Sequence, residues 1–336
     1  MTDKTSALLS ICRFRDGFDK FPVSCFNDEV FGKLLANRMG SVVYGVLSKE
    51  GLLDMINREY RTVLKILYEN SVQKNKLYTD QVSYIDSIMK GTEVPYALLK
   101  GAILCPEYPE GYRTSNDIDI LISSKDLDPV SSILFNEGFR QGYLKNGLFR
   151  EATRVEIVRA RMSRGETVPF IKQTDNGYLE VDINFSFDYR SDMSHVTEKV
   201  LNKTGRLDPD DFLIHLCCHL YKEASTLPWI VMKRDMTLYK YLDIYFLLHD
   251  TDYPGLFDRA RELGLEKECA FAIEETDALL GVPGKISETA SDILKENDGF
   301  LHKVRDPAGH REYTYTEKDI VKRFFSDDRT KLLEEI

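Results

Sequence analysis

Between residues 27 and 90 apolar side chains return every three or four positions, as at Leu53, Ile56, Tyr60, Val63, Leu64 and Leu67. That is the period of an amphipathic helix. Asn27 or Asp28 is suited to cap a helix running toward Gly51, residues 52–90 hold neither Pro nor Gly, and Gly91 offers a stop. The texture changes at Val94. Residues 94–99 and 119–122 read as strands, and residues 124–136 as a helix closed by Gly138. Residues 153–160 and 169–173 alternate apolar and polar and read as further strands around the turn signal Ser163-Arg164-Gly165. Asn176-Gly177 predicts a tight turn into a strand over 178–187. In it Leu179, Val181, Ile183, Phe185 and Phe187 share one face, and Glu180, Asp182, Asn184 and Ser186 the other.

From residue 208 to about 297 the helical period returns, with candidate helices at 212–224, 230–249, 265–280 and 286–297 separated by Pro and Gly. The chain from Asp306 onward is polar and charged, a loosely attached tail by composition. The pattern predicts an α+β fold: a small mixed β-sheet core flanked by helices, with an N-terminal helical segment and a C-terminal helical domain. The boundaries expected are 1–92 for the helical segment, 93–195 for the core, 196–305 for the helical domain and 306–336 for the tail.

Composition narrows the class. With 336 residues, 43% hydrophobic and 30% charged, the chain can bury a substantial core. Its net charge of −10 disfavours broad binding to a nucleic-acid backbone, while leaving room for a local basic groove. Cys12, Cys25, Cys105, Cys217, Cys218 and Cys269 show neither a CxxC pair nor a disulfide-framework spacing. Reduced thiols, a polar N-terminus and the lack of any apolar run near ~18 residues together suggest a cytoplasmic protein without a membrane span.

The chemistry concentrates in Leu99-Lys100-Gly101 and in Arg113-Thr-Ser-Asn-Asp117-Ile-Asp119. On a strand, Asp117 and Asp119 project together, roughly 7 Å apart at Cα, while Ile118, Ile120 and Ile122 project the other way. Two carboxylates on one rigid element suit a hard divalent cation, which binds through carboxylates and substrate phosphates. Lys100-Gly101 reads as a tight strand-end turn, and Arg113 is placed to meet a phosphate oxygen. Asp182 offers a third acid from a second strand, with Glu180 competing for that role on the same face. Neither GxxxxGK[ST] nor GxGxxG is present, so the common kinase and dehydrogenase readings have no support.

Lys100-Gly101, Tyr108, Arg113, Asp117-Ile-Asp119-Ile-Leu and Val181-Asp182 together resemble the minimal nucleotidyltransferases of the DNA polymerase β-like superfamily. Among these, the likeness is greatest to a bacterial family described as uncharacterised nucleotidyltransferases. The resemblance spans about residues 94–250. It implies a mixed-sheet nucleotidyltransferase core and Mg²⁺-dependent transfer of a nucleoside monophosphate from an NTP to an acceptor, with release of pyrophosphate. Mn²⁺ is the alternative cation.

Asp117, Asp119 and Asp182 would then be the catalytic acids and metal ligands, with Asp182 helping to activate the acceptor hydroxyl. Lys100, Gly101 and Arg113 would steady the nucleotide, joined by Lys240 from the helical domain across a cleft, with Asp243 holding that lysine or a neighbour. The sequence departs from the family pattern in two places. Gly101 is followed by Ala102 rather than a serine or glycine, and Asn184-Phe185 replaces a His-Trp pair.

The acceptor stays open between a small molecule, a peptide and a protein. A non-catalytic, antitoxin-like nucleotide-binding or regulatory module is the alternative, and RNA end modification a third reading that the charge disfavours. Three further features read more simply as structure. Arg150, Arg154, Arg159, Arg161 and Arg164 suit a solvated hairpin balanced by Glu151, Glu156 and Glu166. His215 and His219, at i and i+4, lack the glutamate of HExxH and suit packing or hydrogen bonding. Trp229 suits a helix start.

Overall fold

The computed structural model describes residues 3–15, 25–163, 165–187, 194–202, 204–250, 253–282, 284–297 and 299–336. It divides into two compact units, residues 69–212 and residues 1–68 with 213–336. Four helices open the chain: α1 (Asp3–Cys12), α2 (Asp28–Ala36), α3 (Gly40–Lys49) and α4 (Arg58–Lys90). Asn27 caps α2 by accepting from the Val30 amide at 3.1 Å. The single helix expected from here to Gly51 is broken after Ala36, where Arg38 takes φ +61°. That conformation cannot continue a right-handed helix.

The unit formed by residues 69–212 holds β1 (Tyr96–Leu98), α5 (Gly101–Glu107), β2 (Asp117–Ile122), α6 (Leu127–Asn136), β3 (Arg140–Lys145), β4 (Leu148–Glu151), α7 (Arg154–Ser163), β5 (Phe170–Thr174), β6 (Gly177–Asn184) and α8 (Ser194–Val200). The sheet order is β1-β2-β6-β5-β3-β4; β2 and β6 run parallel and every other pair is antiparallel. The sheet is therefore mixed and flanked by helices, as the pattern predicts.

Residues 153–160 are not a strand. Thr153 and Glu156 form a capping box: the Glu156 carboxylate accepts from the Thr153 amide at 2.8 Å, and the Glu156 amide donates to the Thr153 hydroxyl at 3.3 Å. Two donors that a helix start leaves unsatisfied are met reciprocally, so the segment begins α7.

Ile118, Ile120 and Ile122 of β2 pack with Leu179, Val181 and Ile183 of β6, with Tyr78, Ile85 and Met89 of α4, and with Val130 and Leu134 of α6. Each such side chain withdrawn from water contributes roughly 1.5–3 kcal/mol. A one-residue slip of β2 or β6 would carry three of them to the opposite face, so the core fixes the register.

The other unit continues with α9 (Pro209–Ala224, which begins within residues 69–212), α10 (Leu227–Val231), α11 (Leu238–Asp250), α12 (Leu256–Leu263), α13 (Glu266–Leu280), α14 (Gly284–Glu296), β7 (Lys303–Asp306), β8 (Arg311–Tyr315), α15 (Ile320–Phe325) and β9 (Leu333–Glu335). The helix expected over 230–249 is two helices, with Lys233 at φ +56° between them. Residues 306–336, expected to be a loosely attached polar tail, instead contribute β8, β9 and α15, and with β7 form a three-stranded sheet. They are fastened by buried charge: Arg323 donates to Glu275 at 3.3 Å, and Arg329 makes a two-pronged contact with Asp235 at 2.5 and 2.7 Å.

Candidate active site

Because the isoleucines of β2 face the core, Asp117 and Asp119 emerge on the sheet's other face. The parallel register sets Asp119 directly opposite Asp182, and Asp117 opposite Glu180. Adjacent strands lie about 4.8 Å apart, so four acids crowd one patch of two neighbouring strands. Asp119 is 4% exposed. Burial pushes the Asp182 carboxyl well above the usual carboxylate range; Asp119, Asp117 and Glu180 push it further, and Lys100 draws it back. Burial also raises Glu180, followed by the charges of Asp117 and Asp119.

Lys100 answers this negative charge. It follows β1 at φ +45°, ψ −117°, a backbone region that glycine favours. Its ammonium donates to Asp119 Oδ1 at 2.8 Å. Burial alone would lower this lysine's pKa, but Asp119, Asp117 and Asp182 raise it above the ordinary lysine value. Asn184, beside Asp182 on β6, points its amide nitrogen at the same Asp119 oxygen from 3.4 Å.

Gly101 opens α5 packed against the loop that leads into β2. A Cβ there would lie 2.4 Å from Ser115 Cβ and 3.0 Å from the Tyr78 hydroxyl, so any larger residue forces the loop away. The Ser115 hydroxyl donates to Asp117 Oδ1 at 2.9 Å. A hydroxyl thus stands beside Gly101 although Ala102, the next residue, carries none.

The loop itself is braced from α4. Tyr78 donates to the Asp117 carbonyl at 2.9 Å, Asn75 donates to the Arg113 carbonyl at 2.9 Å, and Lys74 bonds the Asn116 side chain. Arg113 is half-buried, with its guanidinium donating to the neighbouring Thr114 carbonyl. Sequence reasoning singled out neither Ser115 nor Tyr78. The i, i+4 spacing of Lys74 and Tyr78 was the signal available for the brace.

Lys240 lies on α11 in the other unit. Its ammonium pairs with Glu223 of α9 and stands 5.9 Å from the Trp229 ring and 5.7 Å from the Tyr239 ring. His219 approaches the same glutamate at 3.4 Å, and His215 is buried. Arg150 forms a two-pronged bond with Glu156, as expected, but Arg154, Arg159 and Arg161 lie on α7 rather than a hairpin, and Arg161 pairs with Asp128. Arg164 lies outside the described residues.

The donors at the sheet face are carboxylate oxygens, the ligand type that a hard divalent cation takes. In donor chemistry they suit such an ion, and the upward shifts of Asp182 and Glu180 mark negative charge crowded at this face. Yet among the described residues no three His, Cys, Asp or Glu side chains converge in a metal-ready set. At this face Lys100 and Ser115 instead take up oxygens of Asp119 and Asp117. No helix of the described residues is long and apolar enough to cross a membrane.

No curated protein and no solved structure matches the chain. A family model does, described as "Uncharacterised nucleotidyltransferase" and covering residues 33–281, well over half of the sequence. With the paired acids, the strand-end Lys-Gly and the opposing third acid inside that span, the chain belongs to the uncharacterised nucleotidyltransferase family.

Proposed function

We propose that this protein transfers a nucleoside monophosphate from an NTP to an acceptor hydroxyl in the presence of Mg²⁺ or Mn²⁺. The observation that carries the reading is the register of β2 on β6, which sets Asp119 against Asp182 and Asp117 against Glu180. Asp117, Asp119 and Asp182 would hold the cation, which supplies charge neutralisation for the transferring phosphoryl group and its leaving oxygen. Asp182, set opposite Asp119 on the neighbouring strand, would accept the proton of the acceptor hydroxyl. The acceptor oxygen bonds the α-phosphorus as the bond to the bridging oxygen breaks, and pyrophosphate leaves.

Lys100 and Arg113 steady the triphosphate, and Gly101 lets the turn pack closely enough to keep Lys100 at the acids. Lys240 is the basic residue proposed from the helical elements. Catalysis of this kind consists chiefly of positioning and electrostatic stabilisation. The resemblance to DNA polymerase β-like enzymes supports the same assignment.

The experiment is incubation with α-labelled NTPs, Mg²⁺ or Mn²⁺ and cell extract. Label should move to a small molecule, peptide or protein with stoichiometric pyrophosphate. Asp119→Asn, which keeps the side chain's shape, should lower that rate by roughly 10³-fold or more while the circular dichroism spectrum stays unchanged. Unaltered metal-dependent pyrophosphate release in the variant would refute the mechanism. The Lys100–Asp119 ion pair also favours a second reading, a nucleotide-binding module that does not transfer. Tight NTP binding with no label transferred would select it.

A further inference from the structure

The protein's own donors bond oxygens of the acid cluster. Lys100 Nζ is 2.8 Å from Asp119 Oδ1, Asn184 Nδ2 is 3.4 Å from the same oxygen, and the Ser115 hydroxyl is 2.9 Å from Asp117 Oδ1. Four carboxylates share the face, and Lys100 is bonded to one of them, Asp119. Position 100 carries a lysine although its φ of +45° suits glycine. Lys100 lies just past β1, and its four-carbon stem lets the ammonium move without the backbone.

We propose that Lys100 is a resident counter-cation that competes with the divalent metal for Asp119 and yields when a nucleoside triphosphate offers oxygens to its ammonium. This rests on the nucleotidyltransferase reading and adds the regulation of its metal site. Metal and nucleotide affinities are then coupled through one side chain, and the coupling is reciprocal. A site loaded this way stays closed to free metal and takes the ion together with the nucleotide.

The test is Mn²⁺ titration of the full chain, reading free Mn²⁺ by electron paramagnetic resonance, with and without an α,β-methylene triphosphate analogue. The variant is Lys100→Gly, which removes the ammonium and is at ease at this φ. Lys100→Met, which keeps the apolar stem, serves should the glycine variant not fold. Without nucleotide, the variant should bind Mn²⁺ about tenfold more tightly than wild type. The gain in Mn²⁺ affinity on adding the analogue should shrink by a similar factor. Equal or weaker Mn²⁺ binding by the variant, or an analogue-induced gain as large as in wild type, overturns the proposal. Loss of all Mn²⁺ binding by wild type, with and without the analogue, overturns the nucleotidyltransferase reading itself and this inference with it.

Discussion

A buried carboxyl among other carboxyls binds its proton more tightly than the same group in an unfolded chain, and Asp182 is in that position. The sign of the linkage follows. Its favourable contribution is complete below the unfolded value near ~3.9 and is lost as pH rises through the higher folded value. The metal-free protein should therefore lose stability from this site as pH rises above about 4. Asp182→Asn should flatten that loss and raise the metal-free melting temperature at pH 7.5 by about 3 °C, while abolishing transfer. Calorimetry across the pH range, paired with the label assay, checks both halves. A variant that melts lower at neutral pH would contradict the charge crowding. At this scale the sequence was largely legible, because a D-x-D on a strand must present both acids on one side. Ser115 was not legible, since only the close packing of Gly101 brings its hydroxyl beside the acids.

At the scale of elements, local chemistry outranked alternation. Residues 153–160 alternate like a strand, yet the Thr153–Glu156 capping box commits them to α7. Bonds from Arg150 and from Thr153 hold the Glu156 carboxyl down at about 2. A depressed acid supports structure above its unfolded pKa and loses that support as pH falls toward its folded one. The first turn of α7 should thus fray between about pH 4.5 and 2, seen as faster amide exchange at residues 154–157. Thr153→Ala should produce the same speeding, several-fold, already at neutral pH. Unchanged exchange in that variant would mean that tertiary packing alone holds the helix. The breaks at Arg38 and Lys233 are harder to read, because neither Gly nor Pro announces a positive φ there.

At the scale of the whole molecule, charge placed far apart in sequence closes the unit that contains both termini. Arg323 is 1% exposed against an equally buried Glu275, whose second oxygen accepts from Tyr241 at 2.7 Å. Burial raises the Glu275 pKa, and Arg323 and Tyr241 pull it down. Removing Arg323 leaves a buried acid without its cation, a change that costs about 3–5 kcal/mol. Arg323→Ala should lower the melting temperature by about 10 °C at pH 8 and by less at pH 5, where Glu275 can take a proton instead. Equal losses at both pH values would show that packing, not charge, is what Arg323 supplies. Composition pointed the other way for residues 306–336, since polar content says nothing about a partner 48 residues distant.

By itself the sequence determined the mixed sheet, the face of β2 that carries Asp117 and Asp119, the face of β6 that carries Asp182, and the family. Those follow from side-chain period and local motif, which act within a few residues. Tertiary structure decided which strands are neighbours, and so that Asp119 meets Asp182. It decided that α4 braces the acid loop through Tyr78 and Asn75, and that Lys100 rests on Asp119. Such pairings join residues as far apart in the chain as Asp119 and Asp182. Their partners are selected by burial of the shared core and by neutralisation of crowded charge, neither of which a local pattern encodes.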